Sequence, residues 1–536
     1  MIAPVEQTIV ALVLAIGIFY FIKLAASTRE KTWTIDKFFL AGRNLGSELS
    51  ENAIWGSSFS FANGIYYFAV LGYLKGPAVF IFQIPWSLAI IVIAWLLPRF
   101  MSEAKEYTFH GFLGSVYGRR ARLIATCATV CAFLGIVAFE INITLEVILR
   151  IFQRDALLIP ATFIVAAFVA AYCDIGGFTG TALTDRAQNY WGVAAIVILI
   201  TGILLLGIQL DFNRLPDSAT IEDLAATDAW RNISLSRWVD FENVSLLFTF
   251  GILAFAPFIN FVDMSNWQVL SANTALPPDE MRRLRKKICV SAILILIFPG
   301  FVGSMIGAIW RGIDLAPQEL FASSIISVSR GFGSVFGDGF FSELLSGLVL
   351  GVVIFGLASM AMSTVDSYLI STALAYTSDY KYEDLIERRR TGEKVSAVEE
   401  EKLIKTARSV LYITVLIAAA AFMGIRLLIG DDSAFILQFV IASFATSMAP
   451  AFFLGLFYYR KYTPRLSQRS LNIVSYSIAV GCVASIAVFV LFTAKRVNDV
   501  DAYAWASIAS FGLALVVSVF GLCVGWVSRW WAKRRA

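Results

Sequence analysis

Charge is scarce in this chain: Asp, Glu, Lys and Arg together make up 15% of its 536 residues, against 58% hydrophobic residues. Soluble domains carry about 25% charged residues, so a soluble protein of this length is excluded, as is a disordered one, which requires low hydrophobicity. Histidine is scarcer still, with His110 alone. One imidazole builds neither a histidine-rich metal centre nor a Ser-His-Asp triad, and ordinary hydrolase chemistry drops out, so no enzymatic activity is expected. The six cysteines, Cys127, Cys131, Cys173, Cys289, Cys482 and Cys523, fall in apolar stretches without metal-ligand spacing and read as reduced packing residues. Neither sign of charge dominates: 43 Lys and Arg against 39 Asp and Glu leave +4, too little to imply nucleic acid or another polyanion as partner.

What the chain does have is long apolar runs, with a mean hydropathy of +0.74. Stretches such as 77–97 and 344–365 are long enough to cross a hydrocarbon core ~30 Å thick as helices. Windowed hydropathy predicts an all-α integral membrane protein with about 13 transmembrane helices, at 7–26, 48–75, 77–100, 121–150, 156–175, 187–208, 244–270, 288–311, 341–378, 408–430, 433–458, 470–494 and 502–527. The leader before the first span has no Lys or Arg, so that span reads as a retained helix rather than a signal peptide. Basic residues cluster after spans one, seven and nine, before span four and at the C-terminus: Arg29 and Lys31, Arg282 and Arg283, Arg388 to Arg390, Arg119 and Arg120, Lys533 to Arg535. An odd number of spans with the N-terminus outside puts all of them on the cytoplasmic side of a plasma membrane or bacterial inner membrane, the C-terminus included. The connections 209–243 and 379–407 are too short for a soluble domain, and no obligate protein partner is evident; the expected partners are the lipid bilayer and a small-molecule solute.

Two spans are interrupted alike. Span two carries Trp55-Gly56-Ser57-Ser58-Phe59-Ser60-Phe61-Ala62-Asn63-Gly64, and span seven carries Ala256-Pro257-Phe258-Ile259-Asn260-Phe261-Val262-Asp263. Gly and Pro loosen helices, and small polar residues beside them serve the freed backbone. The two spans lie five apart, each opening a block of five. That placement points to a five-plus-five inverted-repeat core with discontinuous first and sixth core helices meeting at a midplane site. The domains are then 1–46, a first helix and loop; 47–460, the core, with repeats at about 47–208 and 244–460; and 461–536, two C-terminal helices and a short tail.

Four segments carry a family resemblance: Phe38-Phe39-Leu40-Ala41-Gly42-Arg43-Asn44-Leu45-Gly46; Gly176-Gly177 with Thr184-Asp185 and Gln188; Ala361-Met362-Ser363-Thr364-Val365-Asp366-Ser367 with Ser378-Asp379-Tyr380; and Pro450-Ala451-Phe452-Phe453-Leu454-Gly455-Leu456-Phe457. In this order the chain resembles the sodium/solute symporter family, which transports sugars, proline, pantothenate, sialic acid and urea. The resemblance implies Na+ as coupling ion, no organic cofactor, and an ion site between core helices one and eight. Its ligands would be the main-chain carbonyls of Gly56, Phe59 and Met360 and the hydroxyls of Ser363 and Thr364, with Met360 standing where the family usually has a small residue. Unwound turns free carbonyls for a hard cation, and neighbouring hydroxyls on a helix can flank one ion. Asp185 would lie on the sodium exit path.

Ionisable groups inside a span are costly and normally face a cavity or a partner. Glu140 and Asp263 are therefore expected to face a solute, while Glu48 and Glu51 read as interfacial groups paired with basic residues. Asn63 and Asn260 sit at the two interruptions. The resemblance adds Gln438, where sugar transporters place a binding glutamine, and Phe258, where an aromatic gate closes. The segment Val262-Asp263-Met264-Ser265-Asn266-Trp267-Gln268 is similar to the urea and polyamine branch. With acids and no mid-span Arg or Lys among the candidates, the expected activity is sodium-coupled import of a small polar solute by alternating access, a nitrogenous one (amino acid, amine or urea). Alternative readings are a transporter-like solute sensor and a symporter of sugars or monocarboxylates.

Overall fold

A chain in lipid must satisfy its own backbone hydrogen bonds, and in the computed structural model it does so as helix. The structure describes residues 3–103, 106–206, 235–241, 244–294, 297–310, 316–335, 337, 339–429, 440–459, 467–494 and 501–535, among which there is no strand. The first half contains α1 (Pro4–Ser27), α2 (Ser47–Ser58), α3 (Tyr67–Lys75), α4 (Gln83–Glu103), α5 (Arg119–Ile151) and α6 (Leu158–Leu206). The second contains α7 (Leu246–Val262), α8 (Met264–Ser271), α9 (Pro278–Leu294), α10 (Phe298–Ile309), α11 (Pro317–Ser334), α12 (Phe340–Tyr376), α13 (Ala397–Ile429), α14 (Ala449–Leu454), α15 (Gln468–Ala494) and α16 (Asp501–Arg535).

Eleven helical segments among the described residues are long and apolar enough to cross a membrane, against thirteen expected. Both differences have a local cause. The expected spans 156–175 and 187–208 fall in one helix, α6, whose 49 residues would reach roughly 70 Å if straight. It bends instead at Gly177, with φ 55° and ψ −160°. A side chain there would sit 2.9 Å from the Phe38 carbonyl oxygen and 3.1 Å from the Trp33 ring, so glycine serves both the turn and the close approach. The expected span 48–75 is not one helix but α2, an irregular Phe59-Ser60 step, a π-helical turn at Phe61–Tyr66 and α3.

The second interruption lies later than the proline suggests. Pro257 is inside α7 without ending it, and the chain breaks at Asp263, with φ −68° and ψ 117°, before restarting as α8. At the centre stands α12, buried almost continuously from Ser346 to Ala375 and packed on α1, α5, α6 and α11. The α2–α3 break and the α7–α8 break meet against it. One end of the bundle is tied by ion pairs between elements: Glu48 with Arg186 at 3.0 Å, Glu51 with Lys287 at 3.1 Å, Asp36 with Arg389 at 2.5 Å and Glu106 with Arg390 at 2.5 Å. At the same end His110 is fully buried, its Nδ1 2.9 Å from Asp379 Oδ2 and its Nε2 2.7 Å from the Thr129 hydroxyl.

Candidate functional site

α2 ends at Ser58, and Ser60 is extended at φ −91° and ψ 146°, so the Gly56 carbonyl has no helical amide above it. It turns to α12 instead. The Ser363 hydroxyl lies 3.1 Å from the Gly56 oxygen and 2.9 Å from the Met360 oxygen; the Thr364 hydroxyl lies 3.3 Å and 3.2 Å from the same two. Four hard oxygens thus converge in a buried cluster: the Gly56 carbonyl at the α2 break, and the Met360 carbonyl and two hydroxyls of the continuous α12. Phe59 stands at the end of α2 with φ −95° and ψ 66°, and the amide of Asn63, its helical partner in a regular helix, donates to the Ser60 hydroxyl instead. The bulk of Met360 is accommodated by Gly192, where a Cβ would come 2.6 Å from Met360 Cγ and 2.7 Å from the Phe59 ring. The donor set suits a small hard cation, which takes carbonyl and hydroxyl oxygens.

Directly beneath is an acidic pair. Asp185 is fully buried, its carboxyl carbon 2.9 Å from where a Cβ on Gly56 would be, and its neighbour is Asp366, also fully buried. The Tyr172 hydroxyl donates to Asp366 Oδ2 at 2.6 Å, and the Gln188 amide donates to the Tyr172 oxygen at 3.4 Å. Both oxygens of Asp185, Oδ1 of Asp366 and Oε1 of Gln188 meet no amide or hydroxyl donor, and the two carboxyls lie within hydrogen-bond reach of each other. Two buried carboxyls this close are compatible when they share a proton between them.

The other acids have a different surrounding from the one expected. Glu140, on α5, spends its carboxylate on the first break: Oε1 accepts from the amides of Phe61 and Ala62, each at 2.9 Å. Oε2 accepts from the Ser60 hydroxyl at 2.5 Å, the Asn63 side-chain amide at 2.7 Å and the Asn63 backbone amide at 3.3 Å. Asp263 caps α8 in the same manner, Oδ1 accepting from the Ser265 amide at 2.7 Å and its hydroxyl at 2.6 Å, and Oδ2 from the Tyr368 hydroxyl at 3.0 Å. Each restarted helix therefore has a carboxylate at its N-terminus, where the dipole favours one.

Beside the first break, against the part of α7 that precedes Asp263, lies a cavity of about 90 Å³. Ser57, Ser60, Asn63, Gln83, Thr364 and Tyr368 line its polar side, and Phe68, Phe82, Trp86 and Phe255 its aromatic side. Of the expected solute residues, Asn63 lines it directly. Asn260 follows the lining residue Ile259 without lining the cavity itself, its side-chain amide donating to the Ala256 carbonyl at 3.2 Å while Oδ1 has no partner. Phe258 stacks instead on Phe511 of α16, ring centres 4.3 Å apart, because α16 covers that face of α7. Gln438 lies outside the described residues. Ser60, Tyr172 and Tyr368 were not among the expected site residues; Ser60 is legible as a small polar residue within the interruption, whereas nothing in the spacing of the two tyrosines marks them.

A bundle of membrane-crossing helices whose two broken members meet over a cluster of oxygens is the build of a secondary transporter. Residues 38–466 match the Sodium:solute symporter family, and the chain belongs to that family: a multi-pass membrane protein of sodium-coupled symport. No curated protein sequence matches it significantly. Among solved structures it is similar to a Na+-coupled sialic acid symporter in a substrate-bound outward-open state, with 16% identity, a TM-score of 0.63, and 96% of this chain and 98% of that one covered; at that identity the likeness speaks for the fold alone. A nucleobase-cation-symport-1 family transporter, in a closed conformation with bromovinylhydantoin bound, is a more distant match at 13% identity and a TM-score of 0.48, covering 93% of this chain and 95% of that one.

Proposed function

We propose that the protein couples sodium entry to import of a small polar organic solute across the plasma membrane by alternating access. The observation that carries this reading is the four-oxygen cluster at the α2 break, where Gly56, Met360, Ser363 and Thr364 converge. In this reading they hold the ion together with the Phe59 carbonyl, and Asp185 receives it on its way to the cytoplasm. The ion-paired end of the bundle is the cytoplasmic one, with the N-terminus outside. Counting the broken α2–α3 segment as one crossing and the bent α6 as two brings the eleven segments to thirteen, with a five-plus-five core.

The cavity beside the first break is the solute chamber, with Asn63 on its wall and Asn260 next to it. Its size, well under the ~300–1,000 Å³ of drug-sized pockets, favours a solute of few heavy atoms, such as a urea-sized nitrogenous compound. The test is uptake into proteoliposomes of a panel of small labelled solutes, with and without an inward sodium gradient. Uptake that follows the sodium gradient is expected; uptake driven equally well by a proton gradient in sodium-free medium would overturn the reading.

A further inference from the structure

Taking the cavity beside the first break as the solute chamber, we propose that it admits uncharged, amide-like solutes and rejects carboxylates, because the protein's own Glu140 and Asp263 already occupy the two half-helix ends an anion would take. The N-terminus of a helix is a ready anion site, with open amides and a positive dipole end. In transporters with broken helices these half-helix ends meet the anionic group of the solute. Here the first such end, at Phe61, Ala62 and Asn63, has all three amides donating to Glu140. At the second, Asp263 takes the Ser265 amide.

A solute carboxylate reaching either end finds its donors taken and a like charge in their place. It would have to displace the internal carboxylate or remain buried without a partner, and both are unfavourable. A cation fares no better. No Asp, Glu, Lys or Arg lines the chamber among the described residues, and the two nearby carboxylates already accept hydrogen bonds on both oxygens from the breaks and from Tyr368. What the wall offers is uncharged: hydroxyls of Ser57 and Thr364, and the side-chain amides of Asn63 and Gln83, together with the aromatic rings of Phe82 and Trp86. This is the chemistry that pairs with a planar neutral group carrying both donors and acceptors.

The purified protein in sodium is titrated with urea and acetamide, with acetate and ethylamine as charged analogues and glycine as a zwitterion, reading the sodium-dependent rise in apparent melting temperature. Urea or acetamide is expected to act at a concentration at least tenfold lower than acetate, ethylamine or glycine. In Glu140→Gln the gap between acetate and acetamide is expected to narrow several-fold. A stronger effect of acetate or glycine than of either amide in the parent, no effect of either amide, or an unchanged acetate-to-acetamide ratio in folded Glu140→Gln would overturn the proposal. Should Glu140→Gln not fold, Asp263→Asn repeats the comparison at the second end, and the parent ranking decides by itself.

Failure of the chamber reading has a different signature. Gln83→Ala would then leave every solute response unchanged, whereas failure of the charge rule alone leaves a Gln83-sensitive response with the carboxylate preferred.

Discussion

Thr364 touches both partners of the ion cluster, its hydroxyl 3.3 Å from the Gly56 oxygen and 3.2 Å from the Met360 oxygen, and it also lines the chamber. Removing the hydroxyl in Thr364→Ala takes one oxygen from the proposed sodium shell of about five, while the α12 backbone keeps its own hydrogen bonds. A lost hydrogen bond or ligand to a charged partner is worth ~1.5–3 kcal/mol, so the sodium concentration for half-maximal uptake should rise at least about tenfold, and Ser363→Ala should act alike. Equal sodium dependence in mutant and parent would remove these residues from the site. Asp185→Asn is a separate case, because Asp185 packs against Gly56 and faces Asp366. It is expected to slow turnover several-fold at saturating sodium while shifting equilibrium solute binding little; an unchanged turnover rate would make Asp185 a packing residue.

At the scale of elements, close helix contact replaces the hydrophobic drive that lipid cannot supply. α10 lies against the turn and helix after the first break so closely that a methyl group on Gly303 would overlap the Ile65 carbonyl, and one on Gly307 the Ala69 carbonyl. Gly303→Leu should therefore push α3 outward, costing ~1–3 kcal/mol as an overpacked contact, and lower the apparent melting temperature by several degrees; an unaltered melting temperature would mean that the two helices separate freely. The spans themselves were legible because apolar length is a one-dimensional property, and the first interruption was legible because Gly56, Ser57, Ser58 and Ser60 crowd into one stretch. The second was displaced by Pro257, since a membrane helix tolerates proline where neighbours serve the freed carbonyl, whereas the restart is set by the capping carboxylate of Asp263. The role of Glu140 could not be read from spacing at all, because its partners lie nearly eighty residues earlier and meet it only once α5 packs beside the break. The pairing of Glu48 and Glu51 with basic residues was expected, but their partners, Arg186 and Lys287, are a matter of fold.

For the molecule as a whole, those two ion pairs join α2, the half-helix that holds Gly56, to α6 and α9 at the basic end of the bundle. If sodium is held best when that end is closed, the pairs and the ion stabilise the same conformation, and weakening one weakens the other by population shift. Apparent affinity then falls in proportion to the closed fraction. Glu48–Arg186 is exposed and Glu51–Lys287 half-buried; surface pairs contribute ~0–1 kcal/mol each, so removing both in Arg186→Ala with Lys287→Ala should lower the apparent sodium affinity about three- to tenfold without touching the oxygen cluster. The double variant should also make a cysteine placed at Ser47, beside the pairs, react faster with a membrane-impermeant thiol reagent applied from the side that this end faces, and sodium should slow that labelling again. Unchanged sodium affinity together with unchanged labelling would show that the ion pairs only decorate the surface; faster labelling with unaltered affinity would separate closure of that end from ion binding and place the coupling elsewhere, along α12, which packs against both α2 and α8.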